Sequence, residues 1–110
     1  MDDAQNRRRY PRYPLELPVV CDIRGECQTV HSVNISEGGL LVASPKSLGV
    51  GSRVTLKFHL GTAGEIRLQG TVKHAEEEHH GTEFIELSVE DQKRLQDYVK
   101  QAASNALAHL

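Results

Sequence analysis

A chain of 110 residues, with 38% apolar and 25% charged side chains, suffices for one domain with its own core and needs no metal or disulfide staple. Its formal net charge of −2 argues against a nucleic-acid affinity built on a broad positive surface. The charge is uneven, however: Arg7, Arg8, Arg9 and Arg12 are four of thirteen basic residues, whereas Glu76 to Asp91 carries seven acidic side chains and no Lys or Arg. A local positive site on a mildly acidic body favours a small anionic ligand over a polyanion.

Residues 1–6 lack the apolar run of a signal peptide, and no stretch approaches membrane-spanning length. The expectation is a cytoplasmic protein that does not insert into a membrane. In that setting Cys21 and Cys27 are expected as reduced thiols, and their spacing fits no metal motif. His79-His80 is the one histidine cluster and has no supporting Cys or His at ligand spacing, so no metal is expected.

In chain order, Arg7-Arg8-Arg9-Tyr10-Pro11-Arg12 comes first. Four guanidiniums in six positions repel one another and stay in water, and Pro11 and Pro14 remove backbone donors. Residues 1–14 are therefore expected as a flexible basic arm whose guanidiniums can fork onto anionic oxygens or stack on bases. Arg9 and Tyr10 are expected to face solvent. The barrel domain is expected over 15–87. Leu15, Leu17, Val19, Cys21 and Ile23 alternate with polar positions and read as a half-buried strand, with Pro18 near its start.

Arg24-Gly25-Glu26 reads as a turn and Cys27 to Val33 as a second strand. Asn34-Ile35-Ser36-Glu37-Gly38-Gly39 is expected as a tight connection in which glycine allows positive φ, leading into the apolar strand Leu40 to Ala43. Val54, Leu56, Phe58 and Leu60 give the cleanest alternation. Ile66, Leu68, Gly70 and Val72 continue it to Ala75, with a bend expected at Gly70. A polar connection over Glu76 to His80 leads to a last strand over Gly81 to Leu87.

Ser88 and Asp91 suit a helix N-terminus. Leu95, Tyr98, Val99, Ala102 and Ala103 then follow helical spacing, so residues 88–110 are expected as a helix packed on the barrel. Six short strands and one helix imply a mainly β protein: a small six-stranded antiparallel barrel with a C-terminal α-helix.

Two stretches stand out together: Arg8 and Arg12 as Arg-x-x-x-Arg, and Asn34, Ser36 and Gly39 as Asn-x-Ser-x-x-Gly before an apolar strand. With Gly81 and Phe84 in the last strand, the chain at these residues resembles the PilZ domain family, receptors for cyclic di-GMP. The resemblance spans roughly Arg7 to Leu87. It implies that Arg8 and Arg12 contact guanine edges and phosphates, that Asn34 and Ser36 hydrogen-bond a guanine, and that Gly39 permits a dihedral or an approach closed to a β-carbon. An Arg before the first motif is associated in this family with two mutually intercalated ligands, which Arg7 would permit.

The chemistry agrees with that implication, because guanine O6 and N7 form an acceptor pair that a guanidinium engages bidentately. No cofactor is expected beyond the ligand, and no enzyme motif competes. The expected function is a receptor and adaptor that clamps cyclic di-GMP and relays the signal to an unidentified partner protein. Two alternatives stay open: a PilZ-like interaction module that binds no ligand, and a small-barrel RNA-binding protein. Five aromatic side chains from three Tyr and two Phe make a poor set of stacking platforms, which disfavours the RNA reading.

Overall fold

The computed structural model describes residues 10–61 and 64–108. Its elements are β1 (Tyr13–Pro14), β2 (Pro18–Ile23), β3 (Glu26–Ile35), β4 (Gly39–Ala43), β5 (Arg53–His59), β6 (Glu65–Glu76), β7 (His79–Ile85) and α1 (Val89–Ala108). The strands run β3-β2-β5-β6-β7-β4, and β4 pairs back onto β3, so six antiparallel strands close into a barrel as expected. Closure leaves no long edge to solvent.

The inward phase is the predicted one. Val19, Cys21, Leu56, Ile66, Leu68 and Val72 are all buried in one continuous core. The expected thiols are both free, with Cys21 buried and Cys27 exposed. Their strands set Cys27 opposite Asp22, and Cys21 opposite Gln28. Burial, followed by the nearby charge of Asp22, pushes the Cys21 thiol up to about 11.

Several boundaries differ from the sequence reading. The sheet begins before residue 15, because Tyr13 and Pro14 pair with Ile35 and Asn34. β1 and β2 thus run along the same side of β3, and the gap between them is bridged by two backbone bonds, Leu15 N–H to the Val33 carbonyl and Ser32 N–H to the Leu17 carbonyl, and by one buried hydroxyl. Ser32 Oγ donates to the Leu15 carbonyl and accepts from the Leu17 amide at 3.0 Å. Asn34 and Ile35, expected in the connection, are the last residues of β3.

The β6–β7 turn is only Glu77-Glu78, with Glu77 at φ 56, so His79 and His80 belong to β7, which ends at Ile85 rather than Leu87. His80 points inward without a polar penalty: Nδ1 donates to the Glu78 carbonyl at 3.2 Å, and Nε2 accepts from the Leu48 amide at 3.3 Å. The expected bend at Gly70 is also misplaced. Gly70 keeps regular pairing, and its missing side chain serves close packing, since a Cβ there would stand 3.2 Å from the Glu83 carbonyl. The irregularity in β6 comes three residues later, at Lys73.

Helix α1 starts where its cap dictates. Ser88 Oγ accepts from the Asp91 amide at 3.0 Å, satisfying one of the unpaired donors of the first turn. Leu95 is fully buried and joins the barrel core, Val99 is buried, and Tyr98 packs against the core. The Arg94 guanidinium, which also pairs with Asp91 at 3.6 Å, donates to the Glu65 carbonyl and ties the helix to the start of β6. Leu87, just before the helix, and Gln92, in its first turn, line a cavity shared with β7 and the N-terminal segment.

Candidate functional site

A cavity of about 340 Å³ opens beside the Ser36–Gly39 loop, within the size range of small-molecule sites. Its walls come from the N-terminal segment (Tyr10, Arg12), the loop after β3, strands β6 and β7, and the start of α1. Segments far apart in the chain therefore meet at one place on the barrel surface.

The polar residues reach this face because the β3–β4 register shifts. Ser32 lies opposite Val42 and Asn34 opposite Leu41, so Val33 is the extra residue of a β-bulge. Along β3 the buried positions are Val30 and Ser32, and strict alternation would send Asn34 inward as well. The bulge flips the phase, so that Ile35 is buried instead and Asn34 is turned outward. There Asn34 Oδ1 accepts a hydrogen bond from Arg12 Nη1 at 3.2 Å. The pairing of β1 with the end of β3 brings Arg12 within reach.

The loop that follows is built around Ser36. Its buried Oγ accepts from the Gly38 and Gly39 amides at 3.1 and 3.2 Å, and its own amide donates to the Gly39 carbonyl at 2.9 Å. The hydroxyl acceptor is thus spent on the loop itself, which leaves the O–H proton as the group Ser36 can offer outward. The Gly38 carbonyl accepts from the Phe84 amide at 2.9 Å, which locks the loop to β7.

Neither loop glycine needs positive φ, contrary to the expectation. Gly39 is required by approach: a Cβ there would overlap the Thr82 carbonyl of the neighbouring strand. Gly38 is covered by Tyr10, whose ring would stand 2.8 Å from a Cβ at that position. Tyr10 therefore rests on the loop rather than simply facing solvent, although it remains 36% exposed.

Of the residues singled out in the sequence, the structure brings Arg12, Asn34, Ser36 and Gly39 together; Arg7 and Arg8 lie outside the described residues. The sequence reading missed Tyr10, Lys73, His74 and Gln92, which also line the cavity. Lys73 Nζ lies 3.8 Å from Glu83 Oε1, with both side chains about half exposed. A break in alternation at Lys73-His74 was the available signal. Among the described residues no group of three potential ligands could hold a metal, and no helix is long and apolar enough to cross a membrane.

Comparison with known proteins agrees with this geometry. The PilZ domain family model matches residues 6–101. Among solved structures, the inhibitor of motility MotI/DgrA of Bacillus subtilis superposes with a TM-score of 0.77 at 26% identity, over 89% of this chain and 52% of that one. The PilZ domain of YcgR from Escherichia coli, solved with c-di-GMP, gives 0.70 at 20% identity, over 91% and 94%. The K. pneumonia MrkH–c-di-GMP complex gives 0.74 at 21% identity, over 94% and 55%. The chain thus spans nearly all of an isolated PilZ domain and about half the length of the larger neighbours. No curated protein matches it. With the family model covering nearly the whole barrel and the helix, the chain belongs to the PilZ domain family.

Proposed function

We propose that this protein is a receptor for cyclic di-GMP that holds the ligand between the N-terminal Arg-x-x-x-Arg segment and the Asn-x-Ser-x-x-Gly loop. The observation that carries the reading is the hydrogen bond by which Arg12, a residue of the cavity wall, is held to Asn34. It joins two motifs separated by 22 residues and fixes a guanidinium that lines the cavity. A fixed guanidinium is suited to the paired acceptors of a guanine edge or a phosphate. Structural neighbours solved with c-di-GMP share the fold, which supports the assignment.

In this reading Arg8 completes the motif with Arg12, Asn34 orients both the guanidinium and a base, and Ser36 holds the loop while offering its proton. Gly39 allows the loop to lie directly on β7. Arg7, preceding the motif, adds a further guanidinium and permits two mutually intercalated ligands. Binding changes the surface presented to a partner protein. No catalytic step or cofactor is part of the proposal.

Calorimetric titration with cyclic di-GMP, GTP and a short RNA, repeated on Arg8→Ala and Arg12→Ala, tests the reading. Saturable binding of cyclic di-GMP alone, lost in both variants, is expected, with two ligands per chain. Unchanged binding in both variants refutes the site, and a fitted ratio of one refutes the role of Arg7. Absence of binding in the parent chain favours the interaction-module alternative.

A further inference from the structure

The feature that the family motifs leave unused is the second bulge. β6 and β7 pair Val72 with Thr82 but His74 with Gly81, so Lys73 is an extra residue on β6. Upstream, β6 buries Ile66, Leu68, Gly70 and Val72, and strict alternation would send His74 into the barrel with them. The bulge keeps His74 outside, and two consecutive side chains, Lys73 and His74, line the cavity together. A regular strand cannot present two neighbours to one face.

The opposite strand is cut to receive the ring. Gly81 lies on the outward phase of β7, between exposed His79 and Glu83, yet it is buried. What covers it is His74: a Cβ at Gly81 would overlap Nε2, Cε1 and Cδ2 of the imidazole. The ring thus lies across the backbone of Gly81 and forms a flat part of the cavity wall. The order β4-β7-β6 sets the Lys73-His74 backbone two strands from the Gly39 edge, roughly 10 Å at ~4.8 Å per strand, and the ring reaches back over β7 between them.

We infer that Lys73 and His74 form a second ligand-binding jaw opposite Arg12, in which the imidazole is a stacking platform for a purine and the Lys73 ammonium takes a phosphate. The inference rests on the functional reading above and extends it to residues outside both motifs. Lys73 loses little in turning to a ligand, because its half-exposed pair with Glu83 at 3.8 Å is weak. Gly81 acts as the positioning residue, since only its bare backbone lets the ring lie flat.

The test is calorimetric titration of the full chain with cyclic di-GMP at two salt concentrations. His74→Ala is expected to weaken binding roughly tenfold, while His74→Phe stays within about twofold, as stacking requires a flat ring and no particular hydrogen bond. Lys73→Gln is expected to weaken binding about fivefold and to flatten the salt dependence. Gly81→Ala should weaken binding in the parent but add little in the His74→Ala background, where the displaced ring is already gone. Equal affinity of the parent, Lys73→Gln and His74→Ala overturns the second jaw and leaves the functional reading intact. A loss in His74→Phe equal to that in His74→Ala overturns the stacking role. No binding by the parent overturns the functional reading itself.

Discussion

The two halves of the barrel are built by different rules. Between β2 and β5, and between β5 and β6, pairing runs without interruption, and every inward side chain is apolar. Between β3 and β4, and between β6 and β7, each ladder carries one extra residue, Val33 and Lys73 respectively. The cavity borders both bulged ladders. A regular ladder yields a strict inside and outside, which is good for a core and poor for convergence of polar groups. A bulge breaks the phase once and lets a strand that feeds the core also feed a site. Stability is therefore expected to sit mainly in the regular half, and ligand recognition in the bulged half.

Substitutions can break that division, and the largest effect is expected from the core. Leu56 is fully buried on β5, opposite Cys21 and Leu68. Leu56→Ala should lower unfolding free energy by about 3 kcal/mol in urea titrations, through lost burial and the cavity left behind. The folded fraction should bind cyclic di-GMP with parental affinity. A large change in affinity would show that the halves are not separable.

Arg12→Ala is the converse. It should reduce affinity about 100-fold, equivalent to about 2.7 kcal/mol, while leaving the urea midpoint nearly unchanged, because its bond to Asn34 is exposed. A fall in stability comparable with that of Leu56→Ala would mean that Arg12 is chiefly a structural clasp.

The next effect separates the halves by pH. The Cys21 thiol ionises at about 11 in the fold instead of 9.0, mainly because it is buried. The folded state thus holds its proton where the unfolded chain releases it. Stability from this source is fully present below pH 9, declines as pH rises and is lost above about 11, a total of at most about 2.7 kcal/mol. Denaturant titrations of the parent and Cys21→Val from pH 8 to 11 should diverge accordingly, and parallel curves refute the assignment.

The smallest effect is expected at Ser36. Ser36→Ala leaves the Gly38 and Gly39 amides without their side-chain acceptor, at about 1 kcal/mol of stability. Ligand affinity should fall by severalfold at the same time, as the loop loosens. A change in stability with no change in affinity would place Ser36 outside the site.

The two bulges also explain how much of this was legible in advance. The jaw on β3 could be read because Asn34, Ser36 and Gly39 keep fixed spacing within one short stretch, whatever the phase of the strand. The jaw on β6 could not. Lys73-His74 looks like the polar end of an alternating strand, and its partner, Gly81, is seven residues away across a turn. Gly39 was singled out with two reasons open, a dihedral or a close approach, and the structure selects the approach: φ is unremarkable there, and the constraint is the Thr82 carbonyl of a strand more than 40 residues later.

Local patterns alone determined the inward phase of β2, β5 and β6, the Ser88 cap, the apolar face of the helix and the motif residues. These depend on periods of 2 and 3.6 and on side chains bonding to nearby backbone, so they are complete within a few positions of the chain. Tertiary structure decided the closure of β4 onto β3, the placement of both bulges, the rest of Tyr10 on Gly38 and the overlap of His74 with Gly81. Each of those is a contact between distant segments in which one backbone fills the space that another residue leaves empty. Such a fit has no periodicity, and it exists only once the barrel is closed.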